Sequence, residues 1–227
     1  MTHTKMIDEL ETAIIKNDLS FYYTVCEKIK TALTEEQFLK EIGKNNGEKT
    51  RYQTAKKYLL QSKGVPVYCG ATWNYSVWQV FTDARTFYML YKPIDNLPIL
   101  EPEQSHPDDK AIERLFLNPS PGERKEQKIT EEQVKRIIAA GKIYKKQEEL
   151  ELGKNLILFD NTVYNMEYLS TALLILGSER ATIETFHPQY MLKVSNSYGM
   201  AFISSINYTQ EEIEALNKNK INDLEVI

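Results

Sequence analysis

The chain has 227 residues, with 28 Lys or Arg against 32 Asp or Glu, 3 His and a formal charge of -4. A composition of 42% apolar and 26% charged residues is that of an ordinary globular protein. It excludes disordered and collagen-like classes, and no apolar run approaches the roughly 20 residues of a spanning helix. The start, MTHTKMIDELE, lacks the apolar stretch of a signal peptide, so a cytoplasmic protein with no membrane partner is expected. Cys26 and Cys69 fit neither a metal-site nor a disulfide spacing, and free thiols are the expectation.

Residues 1–49 read as helical: Ile7, Leu10 and Ile14, then Tyr22, Val25, Ile29 and Leu33, recur at helical spacing. Thr34 followed by Gln37 reads as a capping box opening a further helix through Phe38, Leu39 and Ile42, and Gly43 to Gly47 reads as a hinge. Arg51 to Lys63 keeps helical spacing through Tyr52, Ala55, Leu59 and Leu60, and Gly64 stops it. Val65–Cys69, Ser76–Phe81 and Thr86–Tyr91 are rich in β-branched and aromatic residues and read as strands, with Trp73-Asn74-Tyr75 as a turn.

Six of the eight prolines fall between Pro93 and Gly122, which reads as an irregular connection. Thr130 with Gln133 forms a second capping box ahead of Val134, Ile137, Ile138 and Ile143, in a helix that Gly141 shortens or bends. Then come a strand Asn155–Phe159, a helix Asn165–Leu176 capped by Asn165 and Gly177, and strands Ala181–Phe186, Tyr190–Ser195 and Gly199–Ile206. Thr209 opens a short C-terminal helix through Ile213 and Leu216. Strands that follow one another without intervening helices are antiparallel, so the class is α+β, with helices on one face of a sheet.

Catalytic signatures are sparse. His3 is terminal, His106 lies in the proline-rich connection, and His187 precedes Pro188 in a turn, so no Ser–His or Cys–His pairing suggests itself. No Gly-rich phosphate loop or dinucleotide fingerprint occurs. The paired acids Glu35-Glu36, Asp108-Asp109, Glu131-Glu132 and Glu148-Glu149 sit at helix starts or in loops, where they complement helix dipoles. Only Asp83 and Asp160 lie near strand ends, as a two-metal nuclease would need. The expectation is a non-catalytic protein with no metal and no cofactor.

The distribution of cations is more informative. Arg51, Lys56, Lys57 and Lys63 share one helix that holds no acid, a strip suited to contacting backbone phosphates one by one. A second cluster, Lys135, Arg136, Lys142, Lys145 and Lys146, is diluted by Glu131, Glu132, Glu148 and Glu149.

The segment Val163-Tyr164-Asn165-Met166-Glu167-Tyr168-Leu169-Ser170-Thr171-Ala172-Leu173-Leu174-Ile175-Leu176 reads as a strand end, an Asn cap and a helix. Its Tyr168, Leu169, Ala172, Leu173 and Leu176 are expected to face a core. The segment also resembles the last half-domain of the bacterial β sliding clamp, the ring-shaped processivity subunit of the replicative polymerase. There a strand ends in an aromatic-Asn-x-x-Tyr-Leu helix. The likeness continues through Tyr190 to Val194 and Tyr198 to Ile203, covering Val163 to Asn207 well and the region Arg51 to Tyr91 loosely, with Thr82-Asp83 near the position of the family's Thr-Asp.

The resemblance implies a DNA-clamp-like α+β domain at 50–207, with a helix and strands repeated twice and helices toward DNA. It leaves a helical extension at 1–49, an inserted connection at 93–153 and a short tail at 208–227 outside that pattern. It implies a DNA-replication-associated accessory function, with double-stranded DNA bound through its phosphates, replication proteins as partners, and a homo-oligomer if a ring forms. A clamp-fold protein-interaction module without DNA binding, using the N-terminal helices or the aromatic sheet, is the alternative.

Overall fold

The computed structural model describes residues 3–44, 46–63, 68–101, 106–117, 126–144, 156–159, 162–186, 191–207, 209 and 211. The chain divides into two compact units, Met1–Lys49 and Thr50–Ile227.

The first unit is a helical hairpin, α1 (His3–Ile15) and α2 (Leu19–Glu41). The Asp18 carboxylate accepts from the Phe21 N–H at 2.9 Å and starts α2, as a short acceptor at an N-cap should. Lys28 reaches Glu9 at 3.4 Å across the hairpin. Met6, Ala13 and Val25 are buried between the helices, whereas Ile7, Ile14, Leu19, Tyr23 and Leu33 are more than half exposed. The helix start expected at Thr34 does not occur. The Thr34 hydroxyl instead donates to the Lys30 carbonyl at 2.9 Å, inside a helix that runs unbroken past it, because no Gly or Pro interrupts the spacing. One 3₁₀ turn, Ile42–Lys44, follows where a hinge was expected.

The second unit is α+β. Its first helix, α3 (Asn46–Ser62), begins five residues before the expected Arg51, within the last residues of the first unit. It so takes in Glu48 and, contrary to expectation, is not free of acid, because the helical spacing extends back past Thr50. Three strands follow as a meander: β1 (Trp73–Tyr75), β2 (Trp78–Thr82) and β3 (Thr86–Leu90). Trp73-Asn74-Tyr75 is therefore a strand rather than a turn. The reversal falls at Ser76-Val77, where Ser76 takes φ +53°, and Trp73 pairs with Val80. Tyr68 to Gly70 form a turn where a strand end was expected, and residues 64–67 of that strand lie outside the described residues.

The proline-rich connection is more ordered than expected. Ile94, Leu97 and Leu100 are buried, and α4 (Asp109–Ile112) runs into a π-helical turn at Glu113–Leu117. After β4 (Glu126–Ile129), which sequence reading missed, comes α5 (Glu131–Tyr144). Its capping box is formed: the Gln133 N–H donates to Thr130 Oγ1 at 3.3 Å, and the Thr130 N–H to Gln133 Oε1 at 2.9 Å. A hairpin, β5 (Leu156–Phe159) and β6 (Thr162–Asn165), leads into α6 (Met166–Ile175), and a second meander ends the described fold: β7 (Ala181–Phe186), β8 (Met191–Asn196) and β9 (Gly199–Ile203). The strand expected to reach Ile206 stops at Ile203, and the C-terminal helix expected through Ile213 and Leu216 lies outside the described residues.

The seven-stranded sheet has the order β1-β2-β3-β9-β8-β7-β4. A helix followed by a three-stranded meander thus occurs twice, α3-β1-β2-β3 and α6-β7-β8-β9, and the last strands of the two meanders, β3 and β9, pair antiparallel at the centre. A Cβ on Gly199 would stand 2.4 Å from the Met89 carbonyl oxygen, so the start of β9 accepts glycine alone.

Alternation along the strands makes the two faces. On one, Tyr58 of α3 packs edge-on against Phe81 and Tyr88, with ring centroids 6.0 and 5.1 Å away. On the other, Trp73, Trp78, Val80, Phe87, Met89 and Phe202 form a core closed by Leu100 and Ile112 of the connection. Toward β7 and β8 that second face turns polar, where Lys193 and Glu184 lie opposite each other and pair at 3.2 Å.

Candidate nucleic-acid interface

The two repeat helices expose very different outer faces. In α3 the core side is Arg51, Tyr52, Ala55, Tyr58 and Leu59, all buried, while Gln53, Lys57, Leu60 and Gln61 are exposed, as is Lys63 just past its end. In α6, Met166, Leu169, Ser170, Ala172, Leu173 and Ile175 are buried, and α5 packs along it. Beyond its first turns, where Glu167, Tyr168 and Thr171 are half-buried, α6 has no face left for phosphate contacts.

The predicted cations divide accordingly. Arg51 is not a solvent-facing phosphate contact, being only 1% exposed. Its Nε donates to the Ile175 carbonyl and its Nη2 to the Lys92 carbonyl, both at 2.8 Å, and its Cζ lies 4.5 Å from the centre of the Tyr198 ring. The guanidinium therefore caps the negative C-terminal end of α6, tying the helix of one repeat to that of the other. Lys56 is half-buried, its ammonium 5.8 Å from the Tyr52 ring centre.

Lys57 and Lys63 reach solvent at the rim of a cleft of about 630 Å3 between α3, the β2–β3 turn and the first turns of α6. On α5, Lys135 pairs with Glu131 at 2.7 Å and Arg136 with Glu132 at 2.5 Å, one helical turn apart. These pairs satisfy the cations locally; the Lys135 contact holds the Glu131 carboxyl below its usual range. Lys142 lies on α5 with its side chain outside the description, and Lys145 and Lys146 lie outside the described residues.

The cleft also contains Asp83, expected near a strand end, and groups that sequence reading did not select: Thr54, Gln61, Arg85, Glu167, Tyr168 and Thr171. Tyr168, expected in the core, is half-buried; its hydroxyl accepts from Arg85 Nη1 at 2.7 Å. Asp83 shapes the turn that presents Arg85. One carboxylate oxygen accepts from the Arg85 N–H at 2.8 Å and the Thr86 N–H at 2.6 Å, while Thr82 Oγ1 accepts from the Ala84 N–H at 2.9 Å. The adjacent Thr82-Asp83 pair was the available signal, since such side chains mimic a backbone turn. Asp160 lies outside the described residues, so the two acids near strand ends are not brought together in what is described.

Burial beneath the cleft shifts acid groups. Desolvation, with the nearby Tyr88 and Asp83, pushes the Tyr58 hydroxyl well above its usual range, and the buried Tyr88 hydroxyl moves the same way. Burial pushes the Cys69 thiol up to about 11. His106 is exposed and its ring stacks 5.7 Å from that of Trp73. His187 lies outside the described residues, and so does the His3 side chain.

Behind the turn, Ala84 and Arg85 also border a smaller cavity of about 270 Å3 on the other face, lined by Phe87, Phe116, Met191 and Phe202. Among the described residues, no group of three or more His, Cys, Asp or Glu is placed to hold a metal, and no helix is long and apolar enough to cross a membrane. In comparisons with known proteins, no family model, no curated protein and no solved structure matches this chain.

Proposed function

We propose that the chain is a non-catalytic accessory protein of DNA replication whose second unit is a clamp-like domain, touching DNA without sequence preference through α3. The observation that carries this reading is the doubled helix-and-meander, joined through β3 and β9, with the helices of the two repeats meeting through the Arg51–Ile175 bond and a shared cleft. That arrangement is what the resemblance of Val163 to Asn207 implies. The stretch from Arg51 to Lys63 adds support, because it holds no acid and its Lys57 and Lys63 both border the cleft where phosphates would be met. Lys135 and Arg136 take a lesser part, since each already has a carboxylate one turn away.

Contacts of this kind release counterions, so affinity falls with salt by about 0.9 logarithmic units per phosphate contact. Fluorescence anisotropy with a double-stranded oligonucleotide tests the reading. Binding at about 50 mM salt is expected, with a salt slope near three contacts that drops by about two in Lys57→Glu/Lys63→Glu. No affinity at that salt overturns the DNA assignment. Encirclement needs several copies of such a domain, and light scattering of the chain decides whether they assemble.

A protein-interaction module without DNA binding is the second reading. The exposed Ile7, Ile14, Leu19, Tyr23 and Leu33 on the helical hairpin favour it, since scattered apolar residues are ordinary but a stripe on two helices is not. Partners retained on the tagged protein after nuclease treatment would favour this reading over the first.

A further inference from the structure

Arg85 belongs to neither cation cluster, yet it is the most firmly presented basic side chain of the cleft. The five-residue turn that carries it, Thr82 to Thr86, is held at almost every backbone group. Asp83 accepts from the N–H groups of Arg85 and Thr86, and Thr82 Oγ1 accepts from Ala84 and donates to the Thr86 carbonyl at 2.8 Å. The Ser204 N–H donates to the Arg85 carbonyl at 2.9 Å, so β9 fixes the turn from behind. Ala84 sits at φ +70°, a conformation costly for a residue with a Cβ, and such strain persists only where the surroundings impose it. The product of all this bonding is an exposed arginine whose backbone cannot wander.

Its side chain is aimed as well. Nη1 donates to the Tyr168 hydroxyl at 2.7 Å, across the cleft from the turn to α6, and this contact holds the guanidinium more firmly protonated. An arginine has five N–H donors, so the bond to Tyr168 orients the group while leaving donors for a ligand. Tyr168, accepting with its oxygen lone pair, keeps its own O–H to donate. Lys57 and Lys63 stand on the opposite wall, and Thr54 and Thr171 add hydroxyls. Two carboxylates share the cleft, Asp83, whose Oδ1 is held by two backbone N–H groups, and Glu167, so three cations face two acids and the balance is positive. A fork of planar donors with ammonium groups opposite is the chemistry that recognises a phosphate group.

We propose that this cleft is a phosphate-binding site, with Arg85 as its principal donor and Tyr168 as a positioning residue that holds the guanidinium. The proposal deepens, and rests on, the reading that α3 meets nucleic acid: it supplies a seat for one phosphate beside the strip of lysines. The phosphate comes either from an internal phosphodiester of DNA or from a terminal or free monoester, and the test separates them.

Inorganic phosphate is titrated into the 15N-labelled full chain and the amide spectrum followed. The expected shifts centre on Arg85, Lys57, Tyr168 and Thr171, and vanish in Arg85→Ala, with Arg85→Lys, whose fold is the least disturbed, retaining a weaker response. In parallel, duplexes with and without a 5′-phosphate are titrated by anisotropy. Equal affinity for both, lowered about tenfold in Arg85→Ala with a salt slope reduced by about 0.9, assigns the site to internal phosphodiesters. A preference for the 5′-phosphorylated duplex, abolished in Arg85→Ala, assigns it to the monoester. In Tyr168→Phe affinity falls while the salt slope stays, the signature of lost positioning without lost charge.

Phosphate shifts in the cleft without duplex binding would keep the site and remove the DNA reading. Duplex binding that Arg85→Ala and Arg85→Lys leave unchanged would overturn the proposal and leave that reading standing. Spectra unmoved by phosphate, together with no duplex binding, overturn both.

Discussion

The two repeats solve the same packing problem with opposite outer faces. Around α3 the helix is half-clad: Tyr52, Ala55, Tyr58 and Leu59 are buried and the far side is Gln, Lys and Leu in water. Around α6 the helix is wrapped, with six of its ten residues buried and α5 laid along it. The difference teaches that a repeated topology does not repeat a surface. In the cleft, α3 and the turn facing it supply Lys57 and Arg85, whereas α6 contributes Glu167, Tyr168 and Thr171 from its first turns and otherwise serves as core. Within α3 the same contrast recurs between Arg51, which caps the partner helix, and Lys57, six residues on, which faces solvent.

The largest effect should come from breaking the tie between the repeats. Arg51→Ala leaves the Ile175 and Lys92 carbonyls without that donor and takes the cation from the end of α6, at an expected cost of about 4 kcal/mol. Urea denaturation followed by circular dichroism measures it, and Arg51→Lys should rescue less than half, because one ammonium does not reproduce the planar fork. A loss below about 1 kcal/mol would mean that the repeats hold together without it.

Alkaline pH loads the α3 side selectively. Burial raises the folded-state pKa values of Tyr58 and Tyr88 above the ordinary tyrosine value of 10.0, so both stay protonated in the fold while they ionise in the unfolded chain. Above pH 10 the unfolded state therefore binds fewer protons. The stability these groups contribute is fully present below that pH and falls by about 1.4 kcal/mol per tyrosine for each further pH unit. Unfolding midpoints from pH 9 to 11 should show this decline, and Tyr58→Phe should flatten it by about half. A flat profile would contradict their burial.

A smaller loss tests how α6 is covered. Thr130→Ala removes the N-cap of α5 and should cost about 1 kcal/mol, with Thr130→Ser near neutral. The smallest expected effect sharpens the comparison from the other side: Lys57→Glu should change stability by less than about 0.5 kcal/mol, in contrast to Arg51 on the same helix. A larger loss would place Lys57 in the scaffold and weaken its assignment to an interface.

Local chemistry was legible in the sequence. The capping box at Thr130, the Asn165 cap, the glycine end of α6 at Gly177 (φ +82°) and the full extent of β7 follow from residue types within a few positions of one another. What escaped depends on distant partners. β4 has little hydrophobic pattern and becomes a strand by pairing with β7. Arg51 reads as a surface cation because its acceptors lie 124 and 41 residues away. Thr34 and Thr130 have the same spacing to a Gln, yet only Thr130 starts a helix, since a helix already under way absorbs a threonine through its i−4 carbonyl. Of the cleft, Lys57 and Lys63 were visible as cations of the acid-free stretch Arg51 to Lys63, whereas Tyr168 looked like a core residue because it lies in an apolar run.

The seam between β3 and β9 has a consequence for how fast this protein forms. Each meander is assembled from neighbours in sequence, with hairpin contacts that close in microseconds. The seam pairs Tyr88 with Ala201, more than a hundred residues away, and its entropy of closure must be spent before any of its hydrogen bonds is gained. Two quickly formed ribbons waiting on one slow union is the order of events this topology sets, and an unjoined β3 or β9 would in that interval be a bare edge open to a neighbouring chain.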